Sequence, residues 1–279
     1  MKEYPSLPRA ADAPDRLFAE GHLWVLEKID GAHLRFQLQE AGFLRFGDRA
    51  TVYDDPGAVP APYRPAVRHV RERLDREALR RAVDDVERVV LFGESTHHHA
   101  IAYDWDRIPP FLGFDVWDGE SFLTADAVER VFERLGLQPV NAIEREVRAR
   151  DFDPDSYTVP ASKWYDGPAE GVVVRNKRGD RAKIHHPRFR EVDDTVPVDA
   201  PAEELASRYA TPRRFEKLAT KLEVHEEPVT VDRLYERAIE DTAREHHKQL
   251  YHADDPVDMS AFRSAVAALT RKFLAERYG

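Results

Sequence analysis

Lys28-Ile29-Asp30-Gly31 follows a short apolar run, Leu23-Trp24-Val25-Leu26, and precedes a segment in which Leu34, Phe36 and Leu38 alternate with His33, Arg35, Gln37 and Gln39. Alternation of this kind marks a half-buried strand. The lysine is therefore predicted at a strand end, with Gly31 making the turn into the next strand. Further along the chain come, in order, Phe92-Gly93-Glu94, Phe111-Leu112-Gly113-Phe114-Asp115, Glu170-Gly171-Val172-Val173-Val174-Arg175 and Lys183-Ile184-His185. A lone K-x-D-G arises by chance in roughly one chain in twenty. Five segments in this order, each on a strand or strand end, carry far more weight.

Around these segments the patterning alternates between strands and helices. Phe43-Leu44-Arg45-Phe46 reads as a strand entered through the Ala41-Gly42 turn, and the Pro/Gly-rich stretch 54–65 as a surface connection. Leu79, Val83 and Val86 recur at helical spacing over 75–88, with Asp75 placed to cap the start. Val89 to Phe92 is a buried strand that delivers Glu94, 112–117 is another, and Thr124 opens a helix that stops at Gly136. Gly171-Val172-Val173-Val174 and Ala182-Lys183-Ile184 flank a five-residue polar turn and predict a hairpin. Composition shifts near Asp193. After Pro197 and Pro201, helices are expected from Thr211-Pro212, over 231–250, and from Ser260. The expected fold is α+β: a mainly antiparallel domain over 1–195, then a small all-helical domain over 196–279.

The 279 residues suffice for one large core and a smaller one. No apolar run approaches 18 residues and residues 1–13 hold no apolar segment, so neither a membrane span nor a secretory signal is expected, and a cytoplasmic location is the default. Without cysteine there is no disulfide, thiolate metal site or cysteine nucleophile. Arginine outnumbers lysine 33 to 9, yet the net charge is −10. That is the wrong sign for general adsorption to nucleic acid, so any phosphate-binding surface must be local.

The ordered segments resemble those of the covalent nucleotidyltransferases, the ATP-dependent polynucleotide ligases and mRNA capping enzymes. Within that group the chain is most similar to RNA ligases of the phage T4 ligase-2 type, over residues 23–189. The resemblance implies an adenylation domain with no OB-fold after it, since the capped helices beyond Asp193 replace the short strands of that barrel. It implies ATP and Mg2+ (or Mn2+) as cofactors, and RNA or a nicked RNA-containing duplex as partner.

The same resemblance gives each segment a role. Lys28 is the nucleophile that takes AMP, with Glu27, Ile29, Asp30 and Gly31 as its nucleotide-binding neighbours. Arg49, or alternatively Arg45, contacts the nucleotide, Glu94 the ribose hydroxyls, and Phe114, or alternatively Phe111, stacks on the base. Glu170 holds the divalent metal. Lys183 neutralises charge on the α-phosphate, and His185 stands where the family carries a second lysine. An ordinary lysine is protonated at neutral pH, so Lys28 needs desolvation and positive neighbours to become nucleophilic.

Arg175, Lys177, Arg178 and Arg181 make a basic hairpin expected to contact polynucleotide phosphates. Arg213, Arg214, Lys217 and Lys221 form a second basic face on the first C-terminal helix. The arginines of 64–88 are interleaved with acids and read as a solvated face. His97-His98-His99 and His246-His247 read as a solvated loop and an exposed helix, not metal sites. The expected activity is RNA sealing through lysyl-AMP. The alternatives are DNA nick sealing and a nucleotide- or RNA-end-binding protein with impaired turnover; oligomeric state is left open.

Overall fold

The computed structural model describes residues 1–189, 200–251 and 257–279. The chain divides into two compact units, one of Met1–Thr96 and Ala100–Val192, the other of His97–His99 and Asp193–Gly279. The expected boundary at 195/196 and Pro197 lie outside the described residues.

The first unit carries two antiparallel sheets. After a short helix α1 (Arg16–Ala19), β1 (His22–Lys28) leads into β2 (Ala32–Leu38), β3 (Leu44–Gly47) and β4 (Val52–Tyr53). Helices α2 (Arg64–Arg73) and α3 (Arg76–Ala82) precede β5 (Val90–Ser95) and β6 (Phe111–Trp117). Then come α4 (Ala125–Arg134), β7 (Ala142–Arg148), β8 (Gly171–Asn176) and β9 (Arg181–His185). One sheet has the order β7-β1-β8-β9 and the other β4-β3-β2-β5-β6. Because β1 and β2 belong to different sheets, the Ile29–Gly31 turn is where the chain crosses between them. Gly31 is required there: a Cβ would lie 2.3 Å from the Ser95 carbonyl oxygen and 3.1 Å from Glu94 Cγ.

Alternation sets what each face meets. Leu34, Phe36, Leu38, Leu91 and Phe111 pack with Val67, Val70 and Phe132 in the core behind the five-stranded sheet. Leu23, Val25, Val172, Val174, Ala182 and Ile184 form a second core behind the other. The opposite faces are left to line a cleft between the sheets.

Three local expectations change. The 54–65 connection ends in α2, which begins with Arg64-Pro65, proline being tolerated in a first helical turn. The helix expected over 75–88 stops at Ala82, although the Asp75 side chain does cap it by accepting from the Ala78 N–H. Strand β7 was not expected. Its Glu144-Arg145-Glu146 centre is charged and largely solvent-facing, as suits a sheet edge.

The described residues of the second unit form the helices α5 (Ala202–Tyr209), α6 (Pro212–Val224), α7 (Val231–Glu245), α8 (His247–Tyr251) and α9 (Met259–Tyr278), without strands. Leu205, Phe215, Leu218, Leu234, Phe262 and Val266 form their core. Thr211 and Thr230 cap α6 and α7 through their hydroxyls. The cap of α9 is Asp258, not Ser260. The helix expected over 231–250 breaks at His246, and His247 is buried with its ring centroid 4.2 Å from that of His97. Neither histidine is the solvated group its sequence context implies.

Candidate active site

A cleft of about 420 Å3 lies between the two sheets, lined by Leu26, Lys28, Ile29, Gly31, His33, Arg49, Glu94, Phe114, Val173 and Lys183 among others. Strand alternation explains the set. On β1 the cleft face carries Leu26 and Lys28. The β8–β9 register pairs Val173 with Lys183 and Arg175 with Arg181, so all four share one face. Across the cleft, His33 of β2 pairs with Glu94 of β5.

Lys28 Nζ donates to both oxygens of Glu170, at 2.6 and 2.7 Å. Burial works to lower the Lys28 pKa, but the carboxylates of Glu170, Glu94 and Asp30 outweigh it and the net shift is upward. The resting lysine is thus a protonated, paired ammonium, the reverse of the activated state. Glu94 is pushed up to about 8, first by burial and then by Glu170 and Asp30, against the pull of Lys28 and Arg49. Lys183 is shifted down by burial and by the positive charges of Lys28, Arg49 and Arg9. Carboxylates therefore crowd Lys28, while cations crowd Lys183.

The paired alternatives separate cleanly. Arg49 lies on the cleft, whereas Arg45 turns outward and pairs with Asp54 at 2.6 Å. Phe114 lines the cleft, whereas Phe111 is fully buried against Phe36 and Phe132. His185 Nε2 lies 3.9 Å from Glu170 Oε1.

Glu27, which also lines the cleft, and Asp30 brace the Lys28 segment. The Glu27 side chain leaves β1 on the face opposite Lys28, where Ser162 Oγ and Asn141 Nδ2 donate to it at 2.5 and 3.3 Å. Asp30 is buried, and its Oδ2 accepts the Ala100 and Ile101 backbone N–H groups, each at 2.7 Å. They hold the two ends of the Lys28 segment against neighbouring loops.

The basic hairpin also differs from expectation. Arg175 and Arg181 are only 2% and 7% exposed and converge on Asp115, which is fully buried. Both also line the cleft. Lys177 and Arg178, in the turn, are exposed and pair with Glu146 at 3.0 Å and Glu20 at 2.6 Å. On α6, Arg214 is likewise committed to Asp241 and Glu245, at 2.5 and 2.8 Å, which leaves that basic face smaller than its sequence implies.

Tyr4 is a cleft residue that sequence reasoning missed. Its hydroxyl donates to Asp115 Oδ2 at 2.9 Å and accepts from Arg181, and its ring meets Phe114 edge-on at 5.1 Å. Arg175 reaches the Phe114 carbonyl at 3.5 Å from the other side. The aromatic platform thus rests on a buried ion cluster closed by a leading segment with no periodic pattern to announce it.

Among the described residues no group of three or more His, Asp or Glu side chains forms a ready-made metal cage. The hard oxygen donors nearest Lys28 are those of Glu170, paired with its ammonium, with Glu94 lining the cleft beside it. That fits a Mg2+-like ion, which keeps several waters and borrows substrate phosphates beside one or two carboxylates. Among the described residues no helix is long and apolar enough to cross a membrane.

Comparison with known proteins is consistent with this geometry. An archaeal ATP-dependent RNA ligase structure (form 2) aligns with 99% of this chain and 65% of its own, at 16% identity and TM-score 0.47. A Naegleria gruberi RNA ligase mutant with ATP and Mn aligns over 68% of this chain and 57% of its own, at 13% identity and TM-score 0.53. The same ligase with PPi gives 15% identity and TM-score 0.52 over the same shares. The chain thus spans about two thirds or less of the length of the solved structures it matches. Comparison with curated protein sequences gives no match. The family model for RNA ligase matches residues 21–190, more than half of the chain and all of the strands that build the cleft, and the chain belongs to the RNA ligase family.

Proposed function

We propose that this protein is an ATP-dependent RNA ligase that works through a covalent lysyl-AMP at Lys28. The observation that carries the reading is the Lys28–Glu170 pair on a cleft lined by Glu94, Phe114 and Lys183. In the first step the Lys28 amine loses its proton and attacks the α-phosphorus of ATP. A P–N bond forms, the bond to the β-phosphate bridging oxygen breaks, and pyrophosphate leaves. AMP then passes to a polynucleotide 5′-phosphate, and a 3′-hydroxyl displaces it to form the new phosphodiester.

The residues divide these tasks by charge. Glu170 would hold a divalent cation, whose charge would screen the carboxylate and the substrate phosphates. Once Glu170 is engaged elsewhere, Lys28 loses the partner that keeps it protonated, and its burial favours the neutral amine. Lys183 faces the charge that grows on the α-phosphate. Phe114 offers a flat face for the base, worth about 1–3 kcal/mol with little discrimination among bases. Glu94, protonated in the free protein at neutral pH, can donate as well as accept a hydrogen bond at the ribose. Arg49, on the cleft, contacts the nucleotide. We assign adenylation to residues 1–195 and a separate role in strand engagement to 196–279.

The test is incubation with α-labelled ATP and Mg2+, then denaturing electrophoresis, then sealing of a nick with an RNA 3′-hydroxyl end beside an all-DNA nick. Label retained through denaturation and preference for the ribose end are expected. Label without sealing would favour the impaired-turnover alternative, and preference for the all-DNA nick would favour DNA repair.

A further inference from the structure

Arg175 and Arg181 pair with Asp115 on the cleft, and a second group of arginines lies on another surface of the first unit. A groove of about 560 Å3 runs along the outer edge of the five-stranded sheet, lined by Phe43, Arg45, Tyr53, Asp54, Arg71 and Arg76 among others. Its charged lining carries two more positive than negative groups, in a protein whose net charge is −10. Phe43, at the β2–β3 turn, is 74% exposed, and such exposure of a large ring is the arrangement a stacking platform needs.

The arginines are held in place before any ligand arrives. The Arg71 guanidinium lies over the Phe46 ring at 5.5 Å. Arg76 donates to the Gly42 and Arg71 carbonyls at 3.5 and 3.4 Å. Arg45 pairs with Asp54. Preorganised guanidinium groups lose less freedom on meeting a phosphate.

The groove adjoins the cleft. The β3–β4 turn separates them: Tyr53, on the groove, donates its hydroxyl to Asp48 at 2.5 Å, and Asp48 and Arg49 line the cleft. A strand whose reactive end sits at Lys28 can therefore leave past Arg49 and over this edge.

We infer that the Phe43 groove is a binding site for a single-stranded polynucleotide, with Phe43 stacking on a base and Arg45 and Arg71 contacting backbone phosphates. Its use in sealing rests on the ligase reading above, but binding is measured separately from adenylation. The probe is a fluorescent 5′-phosphorylated oligoribonucleotide, titrated by anisotropy at two salt concentrations against wild type, Phe43→Ala and Arg45→Gln/Arg71→Gln. These side chains are surface groups, and ATP labelling of each variant reports an intact cleft.

Expected are wild-type labelling, binding weakened about tenfold by Phe43→Ala, and a log–log salt slope smaller by about 1.4 in the double variant, or about 0.7 per phosphate contact for a single strand. Wild-type affinity and salt slope in both variants, or no detectable binding by the wild type, would overturn the site. If weakened binding persists in a protein that never takes label, the groove stands and the ligase reading fails.

Discussion

The cleft holds two buried ion clusters that are balanced in opposite ways. At Lys28, one ammonium faces the carboxylates of Glu170 and Asp30, with Glu94 raised to about 8 beside them, so negative charge exceeds that of the ammonium. At the far end, one carboxylate, Asp115, faces Arg175 and Arg181, so positive charge is in excess. The second cluster is closed: Tyr4 adds a hydroxyl, Arg175 spends further donors on the Phe114 and Leu123 carbonyls, and Arg181 donates to the Gly179 carbonyl. The first is open to the cleft. A closed cluster fixes geometry, whereas an open one with surplus carboxylate is a place where a cation and a phosphate can change the state of a lysine. Similar residue types thus make a scaffold in one case and a reactive centre in the other.

Removing the central carboxylate should break this contrast most severely. Asp115→Ala strands two buried guanidinium groups, and loss of one partner from a buried pair costs about 3–5 kcal/mol. Urea denaturation should show that loss, while Glu170→Ala, which leaves Lys28 beside Glu94 and Asp30, should cost less. The converse holds for chemistry. Glu170→Ala and Lys183→Ala should each slow self-adenylation at saturating ATP by about 10²–10³-fold, as for the loss of one group aimed at developing charge. Near-normal rates in both would place the phosphate elsewhere.

The third effect depends on pH. Glu94 has its native pKa raised to about 8 from 4.5, so between those values the unfolded chain gives up a proton that the folded chain keeps. Stability must then fall as pH rises through that window. Glu94→Gln removes the penalty. Its thermal midpoint should be near wild type at pH 4 and a few degrees above it at pH 8, and parallel curves would refute the shift. The smallest effect is expected from His185→Lys. A permanent charge near Glu170 should speed adenylation a few-fold at pH 9, where an ordinary imidazole is neutral. An unchanged pH–rate profile would show that His185 plays no part at the phosphate.

Much of this was legible in the chain. The Lys28 turn, the β2 alternation and the β8–β9 hairpin follow from periodicity and turn chemistry alone. The fate of Arg175 and Arg181 was half legible. Their spacing across a tight hairpin places them opposite each other, on the face shared by Val173 and Lys183, whereas Lys177 and Arg178 fall in the exposed turn. The missing half was Asp115, some sixty residues away, which no local pattern points to. Tyr4 and β7 were hidden for related reasons. One lies in an aperiodic leading segment, and the other is an edge strand whose charges mask its period. Asp30 is plain in position, but no local pattern shows that its side chain accepts from the Ala100 and Ile101 backbone.

The central claim is that Lys28 is the nucleophile held in reserve by Glu170. Intact-protein mass spectrometry after incubation with ATP and Mg2+, followed by peptide mapping, tests it directly. The account predicts a gain of one AMP moiety per chain, acid-labile as a P–N bond should be, mapped to Lys28 and absent in Lys28→Ala. An adduct that persists in Lys28→Ala, or none in a wild-type protein that still seals RNA, would contradict it.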